Sequence, residues 1–493
     1  MHKRIQQLLT AILLFWVSAL FSQNNISIGN NAPDSSARLD IQSTTQGLLI
    51  PRLTSAQRNA MPKKTLGLLV FDTDKHTVMM YNGSSWSALL FGDPSTLPPA
   101  YSEPPTQFFG QGYGCSVSIS GNWAAVGAFG HHDQYENGEF GAVFMYQKVN
   151  GNWTFRQLLK ASDRAAGDRF GYSVSVSGTA LIVGASLADL PAKADAGKGY
   201  AFRYNGSSWI EEKVMTASDA AAEDYFGTSV ALDGNLAIIG APGKEYVNQP
   251  PTRNNEGAVY IWRYASFVPD WVQDYSDIWD QGIGNSKYGS SVSIDSATGI
   301  AAIGAPGHYN NKGVVAIKYK QSNPEWALTF FTNSISTGGQ YGSSVSLKGN
   351  YLAVGSPYEN GIGSIAGSGR VYVYKLEFGS WNYHGDVAVT DAQGGDMIGA
   401  GVSLQDPYLV VGMPGKNVNG FASQGQALVF KLGTVQGPFG STPGWIRQRS
   451  ITDGTSTANN NFATSVFVNA GNVCVGGYFY NQGNGKVAFI NVE

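Results

Sequence analysis

From Tyr113 to the end of the chain, short apolar runs alternate with glycine-bearing turns, and the whole pattern recurs. Each unit opens with a large residue followed by Gly, and then small polar and apolar residues alternate, as in Ser173-Val-Ser-Val. Alternation with period two marks a strand with one buried face. A two- or three-residue turn with Gly or Asp leads to a second, more continuously apolar strand ending in Gly-Ala-Pro, Gly-Ser-Pro or a relative. After a variable loop, a Gly opens a third strand rich in aromatics: Val143-Phe-Met-Tyr, Val259-Tyr-Ile-Trp, Val371-Tyr-Val-Tyr. The fourth strand begins near Trp153, Trp209, Trp271, Trp326, Trp381 or Trp445.

The units start at Tyr113, Phe170, Phe226, Tyr288, Tyr341, Ile398 and Phe462, spaced by 57, 56, 62, 53, 57 and 64 residues. A period in this range is the mark of a solenoid, propeller or array. Residue size rises along each unit, from Ser, Ala, Gly and Val in the first strand to Tyr, Phe and Trp in the third and fourth. In a radial array the strands near the axis are crowded and the outer ones far apart, so this gradient fills the taper. The expected fold is therefore all-β: a seven-bladed β-propeller of four-stranded blades, preceded by a small β-rich N-terminal module.

The units resemble FG-GAP repeats, the blades of integrin alpha-subunit propellers and of many secreted bacterial proteins. The likeness rests on Phe170-Gly171 with Gly184-Ala185-Ser186, Phe226-Gly227 with Gly240-Ala241-Pro242, Tyr288-Gly289 with Gly304-Ala305-Pro306, and Tyr341-Gly342 with Gly355-Ser356-Pro357. It covers about 108–493, and the last unit departs most, with Phe462-Ala463 and Gly476-Gly477. Many blades of that family bind calcium through an Asp-x-Asp/Asn-x-Asp-Gly loop between the first two strands. Here that turn is Ser177-Gly-Thr, Asp233-Gly-Asn or Lys348-Gly-Asn, with at most one carboxylate per blade. Calcium needs several oxygens converging on one ion. The family's metal site is therefore not expected, and no cofactor is implied.

The seventh unit stops at Glu493 with three strands. An open blade would leave unpaired edge N–H and C=O groups, so an N-terminal segment is expected to supply the fourth. Two segments compete. Residues 86–91 follow Tyr81-Asn-Gly-Ser-Ser-Trp86, which copies Tyr204-Asn-Gly-Ser-Ser-Trp209, whereas Ala100 to Phe108 lies nearest the first blade and is favoured. Cys115 in unit one and Cys474 in unit seven would then lie in neighbouring blades. Export would permit a disulfide between them; two buried free thiols are the plainer alternative, since Cys is among the most buried residue types.

Residues 1–22 read as a signal peptide, with Lys3 and Arg4 before the apolar run Leu8 to Phe21 and Ser22 at the cleavage position. That run is shorter than the roughly 20 residues a spanning helix requires. The expected location is extracellular or at the outer cell surface. Residues 23–92 form the N-terminal module: Leu39-Asp-Ile-Gln, Gly47-Leu-Leu-Ile, Gly67-Leu-Leu-Val-Phe and Thr77-Val-Met-Met-Tyr read as strands, and Thr54 to Met61 as a short helix stopped by Pro62. The run from Gly47-Leu-Leu-Ile-Pro-Arg-Leu to Tyr81-Asn-Gly-Ser-Ser-Trp resembles an N-terminal module of secreted proteins from Bacteroidetes-type bacteria, which often precedes surface or adhesive domains. Residues 93–107, with Pro94, Pro98, Pro99, Pro104 and Pro105, read as a stiff linker that could contain the closing strand. The propeller is assigned 108–493.

Composition agrees with many tight turns: 62 Gly among 493 residues, 12% aromatic, only 14% charged. The net charge is −3, becoming −5 once Lys3 and Arg4 leave with the signal. With no basic run or aromatic-basic stripe, nucleic acid is not an expected partner. Asp163 and Asp168, Asp219 and Asp224, and Asp391 and Asp396 recur five apart before a blade start. They suit either a ring of carboxylates or, more simply, turns capped by Asp side chains. His131, His132, Asp133 and Glu136 have metal-ligand chemistry but sit in a loop without fixed spacing. No motif of a hydrolase or nucleotide-binding enzyme is present.

Irregular loops at 129–140, 186–198, 242–256, 357–368 and 414–424 share one face and carry Tyr135, Tyr246, Tyr358 and Phe421. Aromatics beside Asn and Asp suit glycan stacking or a protein partner. The expectation is a non-enzymatic binding or adhesion protein that recognises a cell-surface glycan or protein. The alternatives are a polysaccharide-active enzyme at the channel mouth and a structural component of a surface assembly. The oligomeric state is left open.

Overall fold

The computed structural model describes residues 26–28, 39–41, 43–45, 48–74, 77–81, 83–89, 100–102, 109–133, 138–246, 254–267, 269–280, 284–321, 326–333, 337–437, 440–454, 458–478 and 485–492. The signal-peptide segment, Tyr135 and Glu136 lie outside these residues. The chain divides into two compact units, 1–92 and 93–493.

The larger unit consists of seven four-stranded antiparallel sheets, as the repeat predicts. Blade two is typical, with strands Phe170–Ser177, Ala180–Ala185, Lys198–Tyr204 and Trp209–Met215 paired in chain order. Each blade's first strand packs against the first strand of the next, and that of blade seven, Ser465–Asn469, packs against that of blade one, Phe109–Ser120. The first strands thus ring the axis. Blade seven is completed by Ala100–Ser102, which pairs antiparallel with the third strand through Val487↔Ser102 and Phe489↔Ala100. The favoured segment therefore closes the ring from within the expected linker. The rival, Trp86–Leu89, is instead an edge strand of the N-terminal unit.

The propeller has no single core. Its apolar residues form seven clusters, one at each seam between neighbouring blades. The last joins Cys474, Val487 and Phe489 of blade seven to Tyr113, Val126 and Phe144 of blade one. Second strands such as Ala180–Ala185 are buried throughout because both faces meet a seam. The fourth-strand tryptophans cap the seams from outside: Trp271 is 1% and Trp326 2% exposed.

The serines of the first strands do more than fit a crowded axis. One tier donates Oγ–H to a glycine carbonyl of the next blade, as Ser173 does to Gly227 at 2.8 Å and Ser465 to Gly114 at 2.8 Å. The next accepts backbone N–H, as Ser175 does from Leu232 at 2.9 Å and Ser403 from Val468 at 3.0 Å. The last strand residue then caps the neighbouring turn: Ser120 accepts from Gly178, Ser177 from Gly234, Asp233 from Ser296, Asp295 from Gly349, Gln405 from Ala470 and Asn469 from Gly121. Buried backbone groups must find partners, and here side chains supply them across each seam.

The aromatic-Gly opening is the other half of the seam. Gly227 has φ +90°, and a Cβ there would lie 2.5 Å from the Lys198 carbonyl oxygen. A Cβ on Gly184, at the end of the second strand, would lie 2.0 Å from the Gly227 oxygen. Backbones of adjacent blades touch at these glycines, so no side chain fits.

In the N-terminal unit the helix is Ser55–Asn59, with Thr54 and Gln57 forming a reciprocal capping box. Strands Arg52–Leu53, Leu69–Asp72, Thr77–Tyr81 and Trp86–Leu89 make one sheet, and Ile26–Ile28 pairs with Leu39–Ile41 in parallel. Gly47-Leu-Leu-Ile does not form the strand its apolar run suggests. Its described residues, 48–50, are coil, with Leu48 66% and Leu49 74% exposed.

Candidate functional site

The loops after the second strands and the blade-to-blade connections occupy one face. Tyr246, half-buried, stands there on blade three, Tyr358, exposed, on blade five, and Phe421, half-buried, on blade six. Phe421 exchanges two backbone hydrogen bonds with Val418 at 2.9 and 3.1 Å, closing its loop into a small hairpin. These aromatics stand on three separate blades.

The paired aspartates lie beneath this face. Asp168 accepts the Ala165 N–H at 2.8 Å, Asp224 that of Ala221 at 2.7 Å, and Asp396 that of Gln393 at 2.8 Å. The first member of each pair reaches a side chain: Asp163 accepts from Tyr200 Oη and Lys198, Asp219 from Tyr260 Oη, and Asp391 from Arg447. Geometrically these are turn caps and loop tethers. Lys244 and Lys416, whose role the sequence did not reveal, are buried against the second member, at 3.0 Å from Asp224 and 2.9 Å from Asp396. Burial still pushes Asp224 above the usual carboxylate range, with the Ala221 N–H and Lys244 pulling it back. At the corresponding position blade two has Ala188, and burial raises Asp168 against the pull of the Ala165 N–H.

In blade one His131 is buried edge-on against Phe144 and lies 3.7 Å from Asp133. Asp133 is taken by Lys160, which holds it below the usual range, and Arg164 is 3.8 Å away. With cations already on its carboxylate, this cluster is a poor metal cradle. Among the described residues no group of three or more His, Cys, Asp or Glu is placed to hold a metal.

Cys115 and Cys474 are free thiols, so the disulfide weighed from sequence does not form. Cys115 Sγ lies 3.3 Å from the Gly171 carbonyl oxygen, toward blade two, while Cys474 is enclosed in the seam between blades seven and one. Burial pushes the Cys115 thiol up to about 11 and Cys474 well above its ordinary value.

A feature not anticipated from sequence lies at the inner edge of the loop face. Phe129, Tyr172 and Tyr478, from blades one, two and seven, form a half-exposed arc. The Phe129 ring is 6.2 Å from Tyr172 and 5.9 Å from Tyr478, and the Arg169 guanidinium sits 5.6 Å from its centroid. Phe129 and Tyr478 stand where four other blades carry Pro242, Pro306, Pro357 and Pro414. That departure from the repeat was the available signal.

At the opposite end, an axial cavity of about 130 Å³ is lined by Ser177, Asp233, Lys348, Gln405 and Asn469 among others. Lys348 bridges Asp233 at 3.1 Å and Asp295 at 3.2 Å, tying three consecutive blades. Burial raises Asp295, but the Gly349 N–H and Lys348 outweigh it and hold the carboxyl below its usual range.

The seven-bladed ring and its glycine seams define a repeat propeller. The FG-GAP repeat family matches residues 153–202, 209–262 and 334–374. Each of the first two stretches runs from the fourth strand of one blade to the third strand of the next, so the matched unit spans a seam. Residues 27–99 match the family described as a phage tail like trimerisation region. The chain thus carries three stretches similar to FG-GAP repeats and an N-terminal stretch similar to a phage-tail-like trimerisation region. No curated protein matches the chain.

Proposed function

We propose that this is an exported, non-enzymatic binding protein that recognises a cell-surface glycan or protein through the loop face of its propeller, and that its N-terminal region gathers chains into a homotrimer. The aromatic arc carries the binding reading. Three rings and a guanidinium on a rigid ring offer apolar faces and a cation to a sugar or a peptide with little ordering cost. The carboxylates beside the axial cavity favour binding over hydrolysis, since Lys348 already holds Asp233 and Asp295. Exposed Tyr358 extends the available surface outward. Among the described residues no helix is long and apolar enough to cross a membrane.

The test is to express 23–493 and screen it against polysaccharides and surface proteins, with calcium and with chelator. Binding is expected to survive chelation and to weaken at least about tenfold in Phe129→Ala or Tyr172→Ala, the scale of losing one aromatic anchor. Tyr135→Ala, Tyr246→Ala and Tyr358→Ala map the outer loops. A ligand whose affinity ignores every loop-face variant would refute the assignment of the face.

A further inference from the structure

We infer that the N-terminal unit is completed by two further copies of this chain, held through Leu48, Leu49 and Leu66 with Ile28, Leu39 and Leu69. The inference rests on the homotrimer proposed above and names the residues that hold it. The unit's apolar burial is inverted. Among its described residues the buried hydrophobics are Val70 and Met79, at 1% and 4% exposure, whereas those six aliphatics are between 36% and 74% exposed. What lies buried beside Val70 and Met79 is an ion pair: Arg58 bonds Asp72 at 3.0 Å, and Asp72 also accepts from Ser55 Oγ. Covering those six aliphatics would add apolar burial to a unit whose described residues hold little of it.

The strand pairing has the same incompleteness. Ile26–Ile28 and Leu39–Ile41 form a parallel pair of three residues each, and among the described residues no third strand joins them. Two short strands are marginal in water, and their outer edges invite another chain. All six exposed aliphatics fall inside residues 27–99, the stretch matched by the trimerisation family. Identical copies are the occupant that fits. Around a three-fold axis each exposed leucine can meet its own equivalents, and no charged partner surface is required.

The experiment uses the chain from Gln23 onward, with its mass measured by light scattering after gel filtration. Wild type is expected at three chain masses. The double variant Leu48→Glu/Leu49→Glu and the single variant Leu66→Glu are expected at one chain mass, with the propeller's thermal transition unchanged. Phe378→Glu, at an exposed propeller turn, is expected to stay trimeric. Because the glutamates could unfold the small unit, Leu66→Cys provides a second measurement, with a short bismaleimide expected to cross-link chains. Trimers that survive the glutamate variants without Leu66→Cys cross-linking would overturn the leucine contact while leaving the homotrimer standing. A wild-type chain of single mass at micromolar concentration would overturn the homotrimer itself.

Discussion

Replacing Gly227 by Ala tests whether backbone contact between blades is what the aromatic-Gly motif encodes. Two costs combine at this position. At φ +90° an L-residue sits in the left-handed region, which costs about 1–2 kcal/mol. The new Cβ would also lie 2.5 Å from the Lys198 oxygen and 3.1 Å from Gly184 Cα. Overpacking against a well-packed neighbour costs about 1–3 kcal/mol more. The expected loss is about 2–5 kcal/mol. Gly178→Ala is the internal control: its φ is +57°, and nothing lies within 4 Å of its Cβ position. Only the conformational cost of about 1–2 kcal/mol remains there. Urea unfolding of each variant, followed by tryptophan fluorescence and far-ultraviolet dichroism, gives the difference from the midpoints. If Gly227→Ala costs no more than Gly178→Ala, blade contact is not what excludes a side chain.

The seventh blade offers the reverse experiment, since Ala463 replaces the motif glycine and sits at φ +69°. Ala463→Gly should stabilise by about 0.5–1 kcal/mol, the relieved strain less the added unfolded-state entropy, read as a higher urea midpoint. Asp168 has its folded pKa raised by burial, so between about 3.9 and that raised value the native state holds more protons and stability falls as pH increases. Asp168→Asn should remove this part of the fall, and its urea midpoint relative to wild type should rise from pH 4 to pH 7; a constant difference would refute the assignment. His308 is the opposite case, with burial lowering its pKa, so its contribution is present above about 6.5 and is lost as pH falls below it. His308→Gln should flatten that acid limb of the stability profile. Arg58→Ala leaves fully buried Asp72 without its cation and should cost the N-terminal unit about 3–5 kcal/mol, seen as selective proteolysis of 23–92 beside an intact propeller.

The blades were legible because their physics is local and repeated seven times. Alternation, turn glycines and the Trp at six of the seven fourth strands recur in step. The closing strand was harder to read, since the Tyr-Asn-Gly-Ser-Ser-Trp hairpin serves equally well in a blade and in the N-terminal sheet. A strand as short as Ala100–Ser102 carries almost no signal of its own. The apolar run Gly47-Leu-Leu-Ile implies a buried strand, yet Leu48 and Leu49 are exposed and in coil, so apolarity alone does not place a residue in a core. The serines suggested small volume, while their work is bonding across seams, which depends on register between blades and not on any one strand. Lys244 and Lys416 were silent for a related reason: each meets an aspartate 20 residues away that only the fold brings near.

The division of labour between the two faces follows from the same contacts. On the lower face the turns between first and second strands are short, and their side chains cap the next blade's backbone around the ring. A ligand-binding substitution there would remove a cap and loosen a seam. On the upper face the aspartates beneath the loops hold the chain at the blade starts, and the loops beyond them vary in length without disturbing a seam. Recognition can therefore evolve on the upper face at little structural cost. In the homotrimer proposed above, three such faces would bind a repetitive surface with effective concentrations well above those of a free propeller. Trimer-breaking variants should therefore weaken binding to a polymer or a dense cell surface far more than binding to the isolated repeating unit.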